Sequence, residues 1–320
     1  PPTPPIQPTA APKPPDAVGA VTRPPVKKAR QAWRDGLVII AALLGMVGVS
    51  ILLTVGLQLY ALARPVKSTY AATPDQFGLT YEPVRLQSPD GIEIAGWYVP
   101  AKEPSSSTIL VLHGYASNKS EMLPRVAFLA ARYNLLFIDL RYFGESGGSH
   151  TTFGLKDAGD VRAALNWLKA RDSAGQLAIY GFGMGGTVAL RAAGEDVAVR
   201  CVTVEEAYAD PRLVIDDSYR SFGPLQGAMS GITQLIVESF GFDMPDDYLA
   251  VSLRDFRRPA LVIASRTDSV VPGVHLEKLQ KALANDSAAE YLLFDSRQHG
   301  EIPPDFAERL LDFYGRCLGE

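Results

Sequence analysis

Three positions in this chain have residue types and an order that suit acyl transfer, and one of the three lacks its reactive group. The run Ile179-Tyr180-Gly181-Phe182-Gly183-Met184-Gly185-Gly186 leaves an apolar stretch and enters a helical one. It reads as the Gly-x-Ser-x-Gly turn that holds a nucleophile at a strand-to-helix corner. The central position is Gly183, which has no side chain to attack a carbonyl or carry an acyl group. Downstream, Asp268 follows the apolar run Ala260–Ala264, and His299 follows the run Tyr291–Phe294. Nucleophile, acid and histidine are therefore expected in that chain order. Asp268 would hold the imidazole of His299 in one tautomer, and His299 would relay the nucleophile's proton.

An oxyanion needs donors that do not depend on the missing side chain. The short apolar run Thr108–Leu112 ends in His113-Gly114-Tyr115. The main-chain N–H groups of Tyr115 and Met184 are the expected donors. His113 is read as a structural residue of that loop. His150 and His275 have no surrounding motif and are expected to face solvent. Glu205 and Glu206, just past a strand end, are read as a solvent-exposed pair. Ser117 and Ser120 lie on the oxyanion-side loop rather than on a strand-to-helix corner, and are poor substitutes for the nucleophile.

Elements that position these residues alternate along the chain. A hairpin, Tyr81–Gln87 and Ile92–Val99, turns at Ser88-Pro89-Asp90-Gly91. Strand Thr108–Leu112, a helix near Met122–Arg132 and strand Asn134–Asp139 follow. Next come helix Leu155–Ala170, strand Gln176–Tyr180, helix Met184–Ala193 and strand Val199–Val204. Two further strands and helix Asp305–Leu318 close the order. Runs such as Leu135-Leu136-Phe137-Ile138 are apolar throughout, as strands covered on both faces should be. The expected fold is α/β, a doubly wound, mostly parallel sheet. Residues 209–256 are longer than one crossover and form either a lid over the site or a packing helix pair with an acidic edge, which includes Asp216, Asp217, Asp243, Asp246 and Asp247.

These residues together resemble the α/β-hydrolase superfamily, in its single-domain esterase/peptidase-like branch. Ser88-Pro89-Asp90-Gly91, Gly96-Trp97-Tyr98, His113-Gly114-Tyr115, Asp139 to Gly148, the corner at Gly183, Asp268 and His299 carry the resemblance, which covers about residues 77–320. It implies hydrolysis of a small ester, thioester or amide, without a cofactor. Two positions depart from the pattern: Gly183 stands for serine, and Tyr142 stands where the branch has glycine. Three accounts of Gly183 stay open: a serine-to-glycine variant of an active hydrolase, a natural pseudoenzyme that binds a ligand or a protein, or a water activated directly by His299.

Of the 320 residues, the first 35 hold ten of the 24 prolines and read as a disordered tail. The chain does not begin with Met, so its numbering is expected to start inside a longer product. From Gly36 to Ala63 there is no charged residue, longer than the ~20 residues a membrane-spanning helix needs. A retained signal anchor over 36–63 and a linker over 64–76 are expected to precede the domain at 77–320. Arg23, Lys27, Lys28, Arg30 and Arg34 precede the apolar stretch, and only Arg64 and Lys67 follow closely. The positive-inside rule then puts the tail in the cytoplasm and the domain outside it. Net charge is −4, with no basic-aromatic patch for nucleic acid. Cys201 and Cys317 are expected to be buried thiols, and no Cys/His cluster has metal-ligand spacing.

Overall fold

The computed structural model describes residues 26–319, apart from 172–174, 243 and 245–247. The Pro-rich tail to residue 25 and Asp243, Asp246 and Asp247 therefore lie outside the described residues. The chain divides after Leu53 into two compact units, Pro1–Leu53 and Thr54–Glu320.

Helix α1 runs Val26–Ala63. It starts ten residues before the expected 36, because Lys27 to Asp35 is built of helix-favouring Lys, Ala, Arg and Gln. Its Arg30–Ala63 portion is long and apolar enough to cross a membrane, with a mean hydropathy of 2.7.

The larger unit holds one eight-stranded sheet. Strands β1 (Glu82–Gln87) and β2 (Glu93–Val99) form the hairpin. Then come β3 (Thr108–Leu112), the short α2 (Leu123–Val126) between two 3-10 turns, and β4 (Asn134–Ile138). The expected helix over 122–132 is broken at Val126, which leaves helical geometry (φ −132°, ψ 2°); Pro124, in the first turn of α2, is compatible with a helix start. Helix α3 (Asp157–Arg171), β5 (Leu177–Phe182), α4 (Met184–Glu195) and β6 (Val199–Glu205) follow. Helices α5 (Pro211–Ser218) and α6 (Gln226–Ser239) are inserted before β7 (Ala260–Ser265), consistent with a lid. Helix α7 (Gly273–Ala282), β8 (Ala289–Phe294) and α8 (Phe306–Leu318) complete the unit.

The strand order is β1-β2-β4-β3-β5-β6-β7-β8. Only β1–β2 and β2–β4 pair antiparallel. The chain steps from β3 to β4 on one side and then to β5 on the other. The carboxyl ends of β3 and β5 therefore diverge at a switch point, where open α/β sheets form their clefts. One sheet face packs on Val161, Leu165 and Leu168 of α3, Val188 and Leu190 of α4 and Leu279 of α7. The other packs on Leu123 of α2 and on Leu310, Phe313 and Tyr314 of α8.

Cys201 on β6 and Cys317 on α8 form a disulfide with Cα atoms 6.3 Å apart, which corrects the expectation of two thiols. Their partnership could not be read from spacing 116 residues apart; the packing of α8 on the sheet brings them together.

Residues 65–73 are not a free linker. Tyr70 Oη donates to Asp139 Oδ2 at 2.5 Å, and Asn118 Nδ2 donates to Ser68 Oγ at 2.8 Å. Lys119, wholly buried, donates to Asp139 Oδ2 at 2.6 Å and to Tyr70 Oη. Burying a cation is costly unless it is paired, so Tyr70 and Asp139 bind this segment to the body.

Candidate active site

The corner begins where β5, buried along most of its length, delivers the chain to Gly183. Gly183 has φ 53° and ψ −118°, a conformation L side chains rarely adopt. Its N–H donates to the Glu205 carbonyl at 2.8 Å, and its own carbonyl accepts from the Gly186 N–H at 3.0 Å. A Cβ built at Gly183 would meet only Gly114 Cα, at 3.6 Å, an ordinary van der Waals contact. Gly185 serves close approach instead: a Cβ there would lie 2.5 Å from the His113 carbonyl oxygen. Its absence lets the start of α4 lie against the loop after β3.

That loop is fixed by His113, which is fully buried. Its Nε2 accepts from the Leu140 N–H at 3.0 Å, so Nδ1 carries the proton and donates to the Gly114 carbonyl at 2.7 Å. Burial lowers its pKa and keeps this ring neutral. The structural reading of His113 holds. Tyr115 follows, stacked on Phe153 at 5.6 Å, with its hydroxyl donating to the Leu62 carbonyl of α1 at 2.8 Å. Burial raises that phenol to about 12. Ser117 Oγ donates to Glu121 at 2.9 Å and Ser120 Oγ to Asn118 Oδ1 at 2.6 Å.

Asp268 sits past the end of β7. Its Oδ1 accepts from the N–H groups of Val270 (2.7 Å) and Val271 (2.9 Å), and Oδ2 faces His299 Nδ1 at 2.9 Å. Burial alone would raise its pKa; the hydrogen bonds from His299 and these amides outweigh burial and lower it. His299 shows the converse. Burial disfavours its cation, yet Asp268 and Glu206 together raise its pKa.

Gly183, Met184, Tyr115 and His299 line one cavity of about 360 Å³, with Phe153, Phe182 and Leu62 among its walls. Asp268 stands behind His299. The structure thus brings together the five positions singled out in the sequence.

Glu205 and Glu206 correct their expectation: both are buried. Glu206 Oε2 lies 3.0 Å from His299 Nδ1 and accepts from the Gly300 N–H at 2.6 Å, while Oε1 pairs with Arg297. Burial raises its pKa, against Gly300 and Arg297. Glu205 Oε1 takes Arg125 at 2.8 Å and Arg297 at 3.1 Å, and its Oε2 accepts from Tyr180 Oη at 2.5 Å. Arg125 also donates to the Gly300 carbonyl. For Arg125 a signal existed: it falls within the apolar run 122–131, and a cation there needs a buried carboxylate; Arg297, in the polar stretch 295–299, gave none.

His275 is likewise buried, with Nδ1 accepting from the Ala209 N–H at 3.1 Å, whereas His150 is exposed as expected. Tyr142 has the left-handed backbone that glycine favours, with φ 74°. Its hydroxyl donates to the Pro65 carbonyl at 2.8 Å.

Among the described residues, Glu206, Asp268 and His299 offer potential ligand atoms within 4.8 Å of one another. The two carboxylates converge on one ring nitrogen, and Glu206 is already held by Arg297 and Gly300. This is the chemistry of a shared proton rather than of a metal.

A family model described as the alpha/beta hydrolase family matches residues 109–314. The chain belongs to this family. The uncharacterized protein YfhR of Escherichia coli K12 is 28% identical over 249 residues, 72% of this chain and 80% of that protein. The Pyrococcus furiosus esterase Pf2001 superposes with a TM-score of 0.67 at 24% identity, over 80% of this chain and all of that one. The Pyrococcus horikoshii acylaminoacyl peptidase superposes at 0.55 and 16% identity, covering 75% of this chain and 42% of that one. The likeness to these two solved structures is one of fold.

Proposed function

We propose that this is a membrane-anchored serine-hydrolase scaffold that lacks its nucleophile. The observation that carries the reading is Gly183, which keeps the strained corner geometry and room for a Cβ beside a His299–Asp268 pair. The acyl group of an ester, thioester or amide sits against Gly183, with its carbonyl oxygen at the Tyr115 and Met184 N–H groups. As written the chain binds such a group and turns it over slowly or not at all.

With serine at 183, Oγ attacks the acyl carbon while its proton passes to His299 Nε2. The imidazolium then protonates the leaving oxygen, sulfur or nitrogen, and water attacks the acyl-enzyme by the same route. Gly183→Ser in the full chain is therefore expected to raise ester turnover by up to ~10⁶-fold, the scale on which losing such a serine acts. A folded Gly183→Ser protein inert toward esters, thioesters and amides would falsify the reading. The second reading, a ligand-binding or protein-interaction module without catalysis, draws support from Glu206, a further carboxylate at Nδ1 that acyl transfer does not require.

The anchor is α1, with the N-terminus in the cytoplasm and the hydrolase domain outside. The basic residues before the apolar stretch support this orientation. The Cys201–Cys317 disulfide agrees with an oxidising compartment. Protease added outside intact cells is expected to digest the domain; full protection would reverse the orientation.

A further inference from the structure

The Gly183 cavity has a neighbour. A second cavity, about 390 Å³, is lined by Leu59 and Ala63 of α1, by Phe153, and by Val237, Phe240 and Phe242 of the inserted region. The two cavities adjoin twice. Phe153 lines both, and the successive residues Leu62 and Ala63 line one each. The first offers a histidine and the corner at Gly183. In the second, aliphatic and aromatic side chains dominate, and Lys156 and His150 are its ionisable members among the described residues. Its rim continues outward as Phe240, which is 74% exposed. A polar head group and an alkyl tail are the ligand halves that fit this division.

We propose that the two cavities form one site for a single-chain acyl amphiphile. Its ester or carboxyl head lies at Gly183, and its tail lies between the end of α6 and the last turn of α1. This rests on reading the Gly183 cavity as an acyl site. It adds that the end of the apolar helix is a wall of the substrate site as well as an anchor. The wall that the two cavities share is fixed in place. Phe153 has a positive φ of 52°, on a short loop between the cavities. It is held there by Tyr208 Oη donating to its carbonyl.

The test uses the full chain in bilayer nanodiscs, in the Gly183→Ser background, with aryl esters from acetyl to palmitoyl. kcat/KM is expected to rise about fourfold per added methylene through the mid-length chains, as each buries in the second cavity. Val237→Trp fills that cavity and is expected to abolish the rise while leaving acetyl ester turnover unchanged. An active Gly183→Ser protein whose profile is flat, or falls beyond butyryl and ignores Val237→Trp, overturns the tail site and leaves the acyl-transfer reading intact.

Should Gly183→Ser prove inert, the parent chain is probed with palmitic acid carrying a diazirine at the tail end. Labelling of peptides containing 150–156 and 237–242, competed by unlabelled palmitic acid and weakened at least about fivefold by Val237→Trp, supports the site. Label that excess palmitic acid does not displace overturns it. Where Gly183→Ser is active, comparing a lysophospholipid carried in the nanodisc with a soluble ester of equal chain length assigns the source: turnover of the lysophospholipid places it in the bilayer, and turnover of the soluble ester alone in the aqueous phase.

Discussion

Glu206 Oε2 lies 3.0 Å from His299 Nδ1, on the same nitrogen that Asp268 Oδ2 approaches at 2.9 Å. The first carboxylate comes from the end of β6 and the second from the end of β7. One N–H cannot point fully at both, and the negative charge of each favours the imidazolium. A base must be neutral to take a proton, so activity in the Gly183→Ser protein rises with pH as His299 loses its proton. Glu206→Gln removes one anion and lowers the pKa of His299. The acid limb of its pH–rate profile is therefore expected to move to lower pH, with the plateau little changed. A limb that stays put or moves upward would show that Glu206 does not act on His299.

Asp268 differs from Glu206 in what else it does. Its Oδ1 is fixed by two amides, so Oδ2 is aimed at His299 Nδ1; in the proposed mechanism it sets the tautomer that leaves Nε2 free to take the proton. Asp268→Asn in the Gly183→Ser background is expected to cost about 10⁴-fold in kcat, the scale of a wrong tautomer. Equal losses from Asp268→Asn and Glu206→Gln would mean that the two carboxylates share the role.

The same shifts fix a stability signature. The raised pKa of His299 makes its partners stabilising below about pH 6.5, its unfolded value, and that stability is lost as pH rises through the folded pKa. Asp268, lowered, is stabilising above its unfolded pKa and loses this as pH falls through its folded value. His299→Gln should therefore destabilise the protein clearly at pH 5.5 and less at pH 9, read from urea midpoints. A difference that grows with pH contradicts the assignment.

Much of this site was legible because it follows from strand ends. The corner, the loop after Leu112, Asp268 and His299 each follow an apolar run, and parallel strands place such loops together. What escaped was pairing across the fold. Glu205 and Glu206 are ionisable residues after a strand, and in sequence such residues read as solvated. Their burial depends on Arg125 and Arg297, 80 and 92 residues from Glu205. His275 was misread for the same reason, since its partner is a main-chain amide on another element. Tyr142 shows the reverse: a tyrosine adopts the left-handed backbone that glycine favours, which its residue type does not announce.

Arg125 is the buried charge whose loss can be read most directly. It is 7% exposed, pairs with Glu205 and donates to the Gly300 carbonyl next to His299. Arg125→Met leaves Glu205 paired with Arg297 and Tyr180 but removes the donor to the Gly300 carbonyl, and is expected to destabilise by about 1–3 kcal/mol, the cost of a buried acceptor losing its partner. Arg125→Lys should recover only part of this, because a single ammonium cannot reach both Glu205 and Gly300 as the guanidinium does. Denaturant titration of both variants measures the difference; a change under about 0.5 kcal/mol, typical of a surface position, would rule out the buried network.

The disulfide gives the last prediction. Cys201 lies in the sheet and Cys317 near the end of α8, so the bond closes a 116-residue loop that includes both inserted helices, Asp268 and His299. Cross-linking a loop of about that length removes enough denatured-chain entropy to stabilise by roughly 4–5 kcal/mol in the chain-entropy model. The Cys201→Ser/Cys317→Ser double variant should lose about that much, and at roughly 2–4 °C per kcal/mol its melting midpoint should fall by about 8–20 °C. A thiol reductant should lower the parent midpoint by a similar amount and leave the double variant unchanged. Because α8 covers the sheet face opposite α4, the loss should appear in global stability while the chain-length profile of the Gly183→Ser protein stays the same below the transition. A parent protein insensitive to reductant and equal in stability to the double variant would mean that the two thiols do not pair, and would remove the disulfide's support for an extracytoplasmic domain.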